Sequence, residues 1–181
     1  LVDALAEKFA LSTQLLTADQ FCWAVIGMVS MSSEDAAVGR MMGLLAQAMR
    51  KSKPTFTGTN MGKIVNGLQA KSADHEEVRQ FVFALCDAAR NQQFTLNGFE
   101  VANALYGLQK MSTYYPATRQ LLRIIIERVE DHTPNLDVLH FAHGIFGLGL
   151  MSNRYQEVRT LLMHLLKHSY EVSKFSSTHA C

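Results

Sequence analysis

The chain of 181 residues is 48% hydrophobic and 18% charged, which excludes an intrinsically disordered protein and is typical of a globular domain with a sizeable core. Lysine and arginine number 17 against 16 aspartates and glutamates, so the net charge of +1 excludes a strong overall attraction to nucleic acid or to a membrane surface. The longest strongly apolar stretch, residues 141–151, is too short to span a bilayer, and no transmembrane segment is predicted.

A repeat of 40 residues organises the predicted elements. Glycine recurs at this interval, at Gly27, Gly67, Gly107 and Gly147. Serine recurs in the same register, at Ser32, Ser72, Ser112 and Ser152. Each unit reads as two helices, and two-helix units of this period stack so that neighbours complete each other's core. We therefore predict an all-α fold, an α-solenoid of tandem two-helix repeats with a 40-residue period.

In chain order, residues 1–15 are predicted to be the second helix of a truncated preceding repeat, because Leu5 is in register with Leu45. Four repeats follow at residues 16–55, 56–95, 96–135 and 136–172, and a polar tail occupies residues 173–181. From this register we expect the chain to be part of a longer array or of a larger complex.

The first helix of each repeat, the A helix, is predicted to start after an N-cap residue at Thr17, Thr57, Asn97 or Asp137. Thr17 with Gln20, and Asn97 with Glu100, fit capping boxes. We number each column of the repeat by its residue in the first unit. Column 27 is all glycine and is predicted to lie inside the helix on one flank. Column 22 contains small residues, which are predicted to pack against the glycine of a neighbouring A helix: Cys22, Gly62, Ala102 and Ala142.

The second helix, the B helix, is predicted to begin shortly after the serine column, whose hydroxyl can satisfy free backbone groups of the turn. Arginine recurs near its start, at Arg79, Arg119 and Arg159. These three side chains are candidate phosphate contacts. The alternative, which we favour, is a structural role: a pair with a carboxylate such as Glu77 or Glu157, or hydrogen bonds to the turn between the helices.

The outward stripe of the A helices varies between repeats where the packing columns do not. This stripe predicts a binding surface, here called the candidate surface, that consists of Trp23, Ile26, Lys63, Asn66, Phe99, Asn103, Tyr106, His143 and Phe146. Exposed aromatic residues are typical of contact surfaces, which favours binding over a merely solvated face.

Other chemistry is not indicated. The histidine pairs His140/His143 and His164/His168 have helical spacing but are not expected to converge, so no metal is predicted. The cysteines Cys22, Cys86 and Cys181 lack metal-ligand spacing and indicate free thiols in a reducing compartment. No phosphate loop, nucleophile elbow or paired carboxylates are present, so we predict no cofactor, no catalytic residue and no enzyme.

The stretch "FEVANALYGLQKM" (99–111), echoed by "LHFAHGIFGLGLM" (139–151), resembles the first helix of octotricopeptide-type repeats, which also occur in organellar proteins with a RAP domain. The resemblance implies an α-solenoid, a chloroplast or mitochondrial location (otherwise cytoplasmic), and a role in RNA binding, maturation or translation. The 40-residue unit of this chain is slightly longer than the typical unit of the family, and Tyr106 or Phe146 replaces the tryptophan of the family's helix motif.

Two functions are expected from these patterns. The first is a protein-interaction scaffold, a structural subunit or assembly factor of a large organellar complex such as a ribosome or photosynthetic complex, whose partners are other protein subunits. The second is a modular binder of single-stranded RNA, in which two or three side chains of one unit address about one base. The near-neutral charge favours the first, and the family resemblance favours the second.

Overall fold

A computed structural model describes residues 2–12, 14–129 and 136–176, and this part of the chain is all-α, with nine helices and no strand. The helices are α1 (Val2–Ala10), α2 (Ala18–Gly27), α3 (Ala36–Ser52), α4 (Gly58–Asn66), α5 (Glu76–Ala89), α6 (Gly98–Gly107), α7 (Pro116–Arg128), α8 (Val138–Gly147) and α9 (Gln156–Ser176). Helix α9 covers residues 173–176 of the predicted tail, and the rest of the tail, with Cys181, lies outside the described residues.

The helices pack in two layers. Helices α2, α4, α6 and α8, the A layer, contact one another in that order, and helices α1, α3, α5, α7 and α9, the B layer, do the same. The apolar core contains buried side chains from both layers, such as Phe21 and Leu105 from the A layer and Phe81 and Leu121 from the B layer. Helices α2 to α7 therefore bury their apolar stripes against neighbouring helices.

Local capping sets where the A helices begin. The side chains of Thr17, Thr57, Asn97 and Asp137 each accept a hydrogen bond from the backbone three residues on. The predicted capping boxes at Thr17 and Asn97 are confirmed, and Thr57 forms a third one with Asn60. Capping satisfies backbone donors that the first helical turn leaves free, so the same start recurs in each unit.

Column 27 does not lie in a helix interior, so that prediction is wrong. Helices α2, α6 and α8 end at their column-27 glycine, and Gly67 is the C-cap of α4. No glycine of the described residues has a positive φ. The reason for glycine is close approach: a Cβ atom on Gly107 would lie 2.0 Å from the carbonyl oxygen of Val65. Gly147 meets the Leu105 carbonyl oxygen in the same way, at 1.8 Å.

The predicted packing of column 22 against column 27 is also wrong. Two of the small residues face the first turn of the next A helix: a Cβ on Gly62 would lie 3.3 Å from Glu100, and the Cys22 thiol donates to the Asn60 carbonyl oxygen at 3.4 Å. Columns 22 and 27 are about 7.5 Å apart along a helix axis, at 1.5 Å per residue. Neighbouring helices in the same register therefore cannot place one column opposite the other.

The turns between A and B helices use the serine column as predicted. The hydroxyls of Ser32, Ser72, Ser112 and Ser152 accept hydrogen bonds from the backbone N–H two residues on, at 3.2, 3.1, 3.2 and 3.3 Å. This local bond competes with continuation of the helix and fixes the turn.

One buried lysine supports a neighbouring turn. Lys71 occupies the column that holds methionine in the other units, and it is fully buried. Its ammonium donates to the carbonyl oxygens of Met28 and Met31 at 2.5 and 2.7 Å, and so caps the end of α2 from the next unit. Burial, assisted by the charge of Lys110, lowers the pKa of Lys71 to about 8.

Candidate functional site

All nine residues of the candidate surface lie on A-layer helices or at their ends. Trp23, Ile26, Lys63, Phe99 and Phe146 are exposed. Asn66, Asn103, Tyr106 and His143 are half-buried because they pack in pairs between neighbouring A helices, Asn66 with Asn103 and Tyr106 with His143. The structure divides the nine into three groups along the layer.

The first group lines a cavity of about 240 Å³ between α4 and α6. Four of the predicted residues, Lys63, Asn66, Phe99 and Asn103, meet there. The Asn66 side-chain amide donates to the Asn103 carbonyl oxygen at 3.4 Å, so the two amides form one polar pair. Since Lys63 and Phe99 also line the cavity, it can contact polar and apolar groups of a ligand together.

Other lining residues were not predicted as site residues: Thr59, Gly62, Asn97 and Glu100. The Thr59 hydroxyl donates to a Glu100 carboxylate oxygen at 2.7 Å, which holds the carboxylate at the cavity. Glu100 also caps α6 through the backbone N–H of Asn97. The two residues belong to neighbouring columns of the repeat, Thr59 to column 19 and Glu100 to column 20, and Glu100 was already predicted to take part in a capping box. The contact between these columns becomes visible only when the helices are packed.

The second group is a row of rings across α6 and α8. The Tyr106 ring lies 4.4 Å from His143 and 5.9 Å from Phe146, measured between centroids. Phe99 joins the row through His140, at 4.8 Å, and His140 lies 6.4 Å from His143. The predicted rings of these two helices therefore form one aromatic surface, which also includes His140, a residue that was not predicted to bind.

The third group, Trp23 and Ile26, is apart from the other two. The Trp23 side chain lines a cavity of about 350 Å³ together with Val2, Leu5 and Phe9 of α1. This cavity, here called the N-terminal groove, also includes Gly27, Met28, Met31, Met41 and Leu45. Trp23 is exposed as predicted, but its neighbours are apolar residues and not the polar groups of the candidate surface.

The recurring arginines make the structural contacts that we favoured. Their Nη1 atoms each donate to two carbonyl oxygens of the preceding turn at 2.6–2.9 Å: Arg79 to Ala73 and Asp74, Arg119 to Thr113 and Tyr114, and Arg159 to Asn153 and Arg154. Two guanidinium groups also stack on a tyrosine of the next unit, Arg79 on Tyr115 at 4.8 Å and Arg119 on Tyr155 at 4.9 Å. A phosphate contact by these arginines stays a prediction.

The ion pairs of these helices differ from the pairs that the sequence suggested. Arg79 pairs with Glu76 and not with Glu77. Glu157 pairs with Arg123 at 2.6 Å, because the side chain of Arg123 on α7 reaches α9. The i,i+3 spacing of Glu76 and Arg79 places both on one face of α5, which sequence inspection alone could have favoured.

The histidines and cysteines take structural positions. The backbone N–H of His140 donates to the Asp137 carboxylate at 2.8 Å, and the His140 ring contacts the same oxygen at 2.6 Å. Both contacts lower the pKa of Asp137, and the backbone hydrogen bond contributes most. No three His, Cys, Asp or Glu residues of the described part converge as metal ligands, and the His168 side chain is outside that part. Cys22 and Cys86 are buried free thiols whose pKa values burial raises.

Comparison with known proteins returns no relative: no family model, no curated protein and no solved structure matches the chain. Among the described helices, none has both the length and the apolar character needed to cross a lipid bilayer.

Proposed function

We propose that the chain is an α-solenoid of octotricopeptide-type repeats with a 40-residue period. Three observations support the proposal. The A helices begin at equivalent caps, and the ends of α4, α6 and α8 meet the preceding A helix at equivalent glycines. The serine and arginine columns make equivalent bonds in successive turns. Equivalent contacts between successive units are the property that defines a solenoid.

On this fold we propose a non-enzymatic scaffold that binds other protein subunits, as a structural subunit or assembly factor of a large organellar complex. The observation that carries the proposal is the row of exposed and half-exposed rings on α6 and α8, from Phe99 to Phe146. Aromatic residues dominate the energetics of protein interfaces because they bury large areas with few rotamers. The organellar location rests on the family resemblance, and the buried free thiols suit a reducing compartment.

A site-specific photo-crosslinking amino acid at position 99 tests this function. We expect the variant at Phe99, in an organellar extract, to form adducts with a discrete protein that survive ribonuclease. The matched control places the same group at Gln47, an exposed position of α3 in the B layer. Adducts of equal intensity at both positions, or none at position 99, would contradict a binding surface on the A layer.

A specific observation favours single-stranded RNA as a second candidate ligand. The stacked rings of Tyr106 and His143 lie on the same layer as the amide pair of Asn66 and Asn103, and Lys63 adds a positive charge. Rings that stack bases beside amides that read base edges are the usual elements of RNA recognition. The weak net charge and the turn-bound arginines support it less, since phosphate contacts dominate the affinity for nucleic acid.

Binding to a pool of random single-stranded RNA across a salt series separates the two functions. The RNA function predicts binding at low salt that Asn103→Ala, Tyr106→Ala and His143→Ala together abolish. Absence of binding at the lowest salt would exclude the RNA function and leave the protein scaffold. Binding that survives the triple variant would place the RNA on another surface.

A further inference from the structure

The cavity between α4 and α6 lies inside the A layer, since α4 also contacts α2 and α6 also contacts α8. Between α6 and α8 the space is filled by rings, and the Tyr106 ring lies 4.4 Å from that of His143. The equivalent columns between α4 and α6 hold Asn66 and Asn103, whose amide groups are smaller than these rings. The cavity of about 240 Å³ therefore lies where the A layer has small polar side chains in place of rings.

The lining of this cavity carries no net formal charge. Lys63 and Glu100 are the charged residues among the eight that line it, and their charges are opposite. A charged ligand would enter without a counter-charge of its own, and an uncompensated charge is costly to remove from water. The cavity therefore favours a neutral ligand over a carboxylate, a guanidinium group or a phosphate.

Two lining residues offer hydrogen-bond donors to such a ligand. Within the described part of the chain, no carboxylate pairs with the Lys63 ammonium, which has three donor hydrogens. The Asn103 side-chain oxygen accepts a hydrogen bond from Asn66 at 3.4 Å, but its amide nitrogen has no bonding partner among the described residues. A ligand oxygen, such as that of a carbonyl group, can accept from both residues.

Glu100 offers the acceptor. Its Oε1 accepts a hydrogen bond from the Thr59 hydroxyl at 2.7 Å, and its Oε2 accepts one from the backbone N–H of Asn97 at 3.0 Å. These bonds hold the carboxylate in place and use about half of its roughly four acceptor sites. A ligand N–H can therefore donate to Glu100, and Phe99 provides an apolar contact in the same cavity.

We propose that the cavity between α4 and α6 binds one peptide group of an extended segment of a partner protein, together with the apolar side chain beside that group. The peptide carbonyl oxygen accepts from Lys63 and Asn103, the peptide N–H donates to Glu100, and the apolar side chain contacts Phe99. A peptide group is neutral and has one donor and one acceptor, which matches the lining. The proposal rests on the proposed scaffold function, because it names the kind of segment that the partner presents.

A helical segment does not meet the same requirements. The amides of a helix interior bond one another, so they are not free to bind Lys63 or Glu100. A helix with its side chains is also about 10 Å wide, whereas the cavity holds about eight water molecules at roughly 30 Å³ each. The partner segment is therefore extended where it enters the cavity.

A pair of small probes tests the peptide group directly. N-Benzylacetamide has one amide and one ring, and benzyl acetate has the same shape with an ester oxygen in place of the N–H. Binding is followed by the backbone amide signal of Gly62, which lines the cavity, in proton–nitrogen NMR spectra. We expect a saturable shift with N-benzylacetamide and at least about fivefold weaker binding of benzyl acetate, because the ester cannot donate to Glu100.

Single substitutions separate the two ends of the peptide group. Glu100→Gln should reduce the preference for the amide over the ester, since it removes the charged acceptor and keeps a side chain that can cap α6. Lys63→Met should weaken both probes by a similar factor, because both probes have the carbonyl oxygen. The matched control is Lys110→Met, which changes an exposed lysine outside the cavity and should alter neither affinity.

The chain also suggests a variant that closes the cavity. Asn66→Tyr combined with Asn103→His copies the ring pair of Tyr106 and His143 from the next helix pair. This double variant should abolish the saturable shift at Gly62 without lowering the midpoint of urea unfolding.

Four results would overturn the proposal: no saturable shift with N-benzylacetamide, equal affinities for the two probes, binding that survives the double variant, or tighter binding of uridine, which would assign the cavity to a base of RNA. Crosslinking at Phe99 tests the scaffold function separately. Adducts without probe binding leave the scaffold and remove the peptide site, whereas probe binding without adducts leaves the peptide site and removes the organellar partner.

Discussion

Replacing Gly107 by alanine should destabilise the protein far more than the same change at Gly27, although both glycines occupy one column. A Cβ at Gly107 would lie 2.0 Å from the Val65 carbonyl oxygen and 2.5 Å from the Asn66 Cα. Both obstacles are backbone atoms, so no rotamer change can relieve the contact. At Gly27 no described atom outside the helix lies within 4 Å of the added methyl.

The structure sets the magnitude. Restoring an ordinary contact of about 3.5 Å requires α4 and α6 to separate by roughly 1.5 Å, and a gap of that size forfeits more than about half of the dispersion energy between facing atoms. Overpacking of this kind costs about 3 kcal/mol or more. At Gly27 only the better helix propensity of alanine remains, which stabilises by up to about 1 kcal/mol. Gly67→Ala should lie between, since its nearest obstacle is the Val25 side chain at 2.7 Å.

Urea unfolding followed by far-ultraviolet circular dichroism measures the series. The expected order of stability is Gly27→Ala, then wild type, then Gly67→Ala, with Gly107→Ala lowest. Equal losses at Gly27 and Gly107 would show that backbone conformation and not close approach selects glycine. No loss at Gly107 would show that α4 and α6 separate freely, which would refute the close packing of the A layer.

Further predictions concern single contacts. The pKa of Lys71 is about 10.4 in the unfolded chain and about 8 in the folded chain. Between these pH values the unfolded chain binds more protons, so the free energy of unfolding should rise by roughly 1–3 kcal/mol from pH 8 to pH 10.4. Lys71→Met should abolish this rise in urea unfolding measured across the pH range. Arg119→Ala removes two bonds to turn carbonyls and should cost about 2 kcal/mol in thermal unfolding, whereas Arg154→Ala, whose guanidinium is exposed, should cost under about 0.5 kcal/mol. Asn97→Ala removes the cap of α6 and should cost about 1 kcal/mol, a loss that Asn97→Ser should largely restore.

Features that depend on nearby residues were predictable. The caps at Thr17 and Asn97 act over three residues, the serine hydroxyls over two, and Arg119 reaches carbonyls five and six residues away. Such contacts follow from local backbone geometry, so spacing in the sequence indicates them. Two local features were misjudged: the helices end at or next to the glycine column instead of continuing through it, and Arg79 pairs with Glu76 and not with Glu77.

Contacts between units were not predictable to the same degree. The sequence placed Asn66, Asn103, Tyr106 and His143 on one outward stripe, but it did not give the pairing of column 26 with column 23 of the next helix. Nothing in the sequence indicated the role of Lys71, whose ammonium donates to carbonyl oxygens about 40 residues earlier in the chain.

The sequence by itself determined the helical class and the residues that begin each A helix, because propensity, capping and periodicity act within a few residues. Only the tertiary structure decided which atoms Gly107 approaches, which side chains line the cavity between α4 and α6, and that Trp23 lines a groove with residues of α1. A helical wheel gives the direction in which a side chain points. The height at which the next helix meets it is set by the packing of whole helices, which no short stretch of sequence encodes.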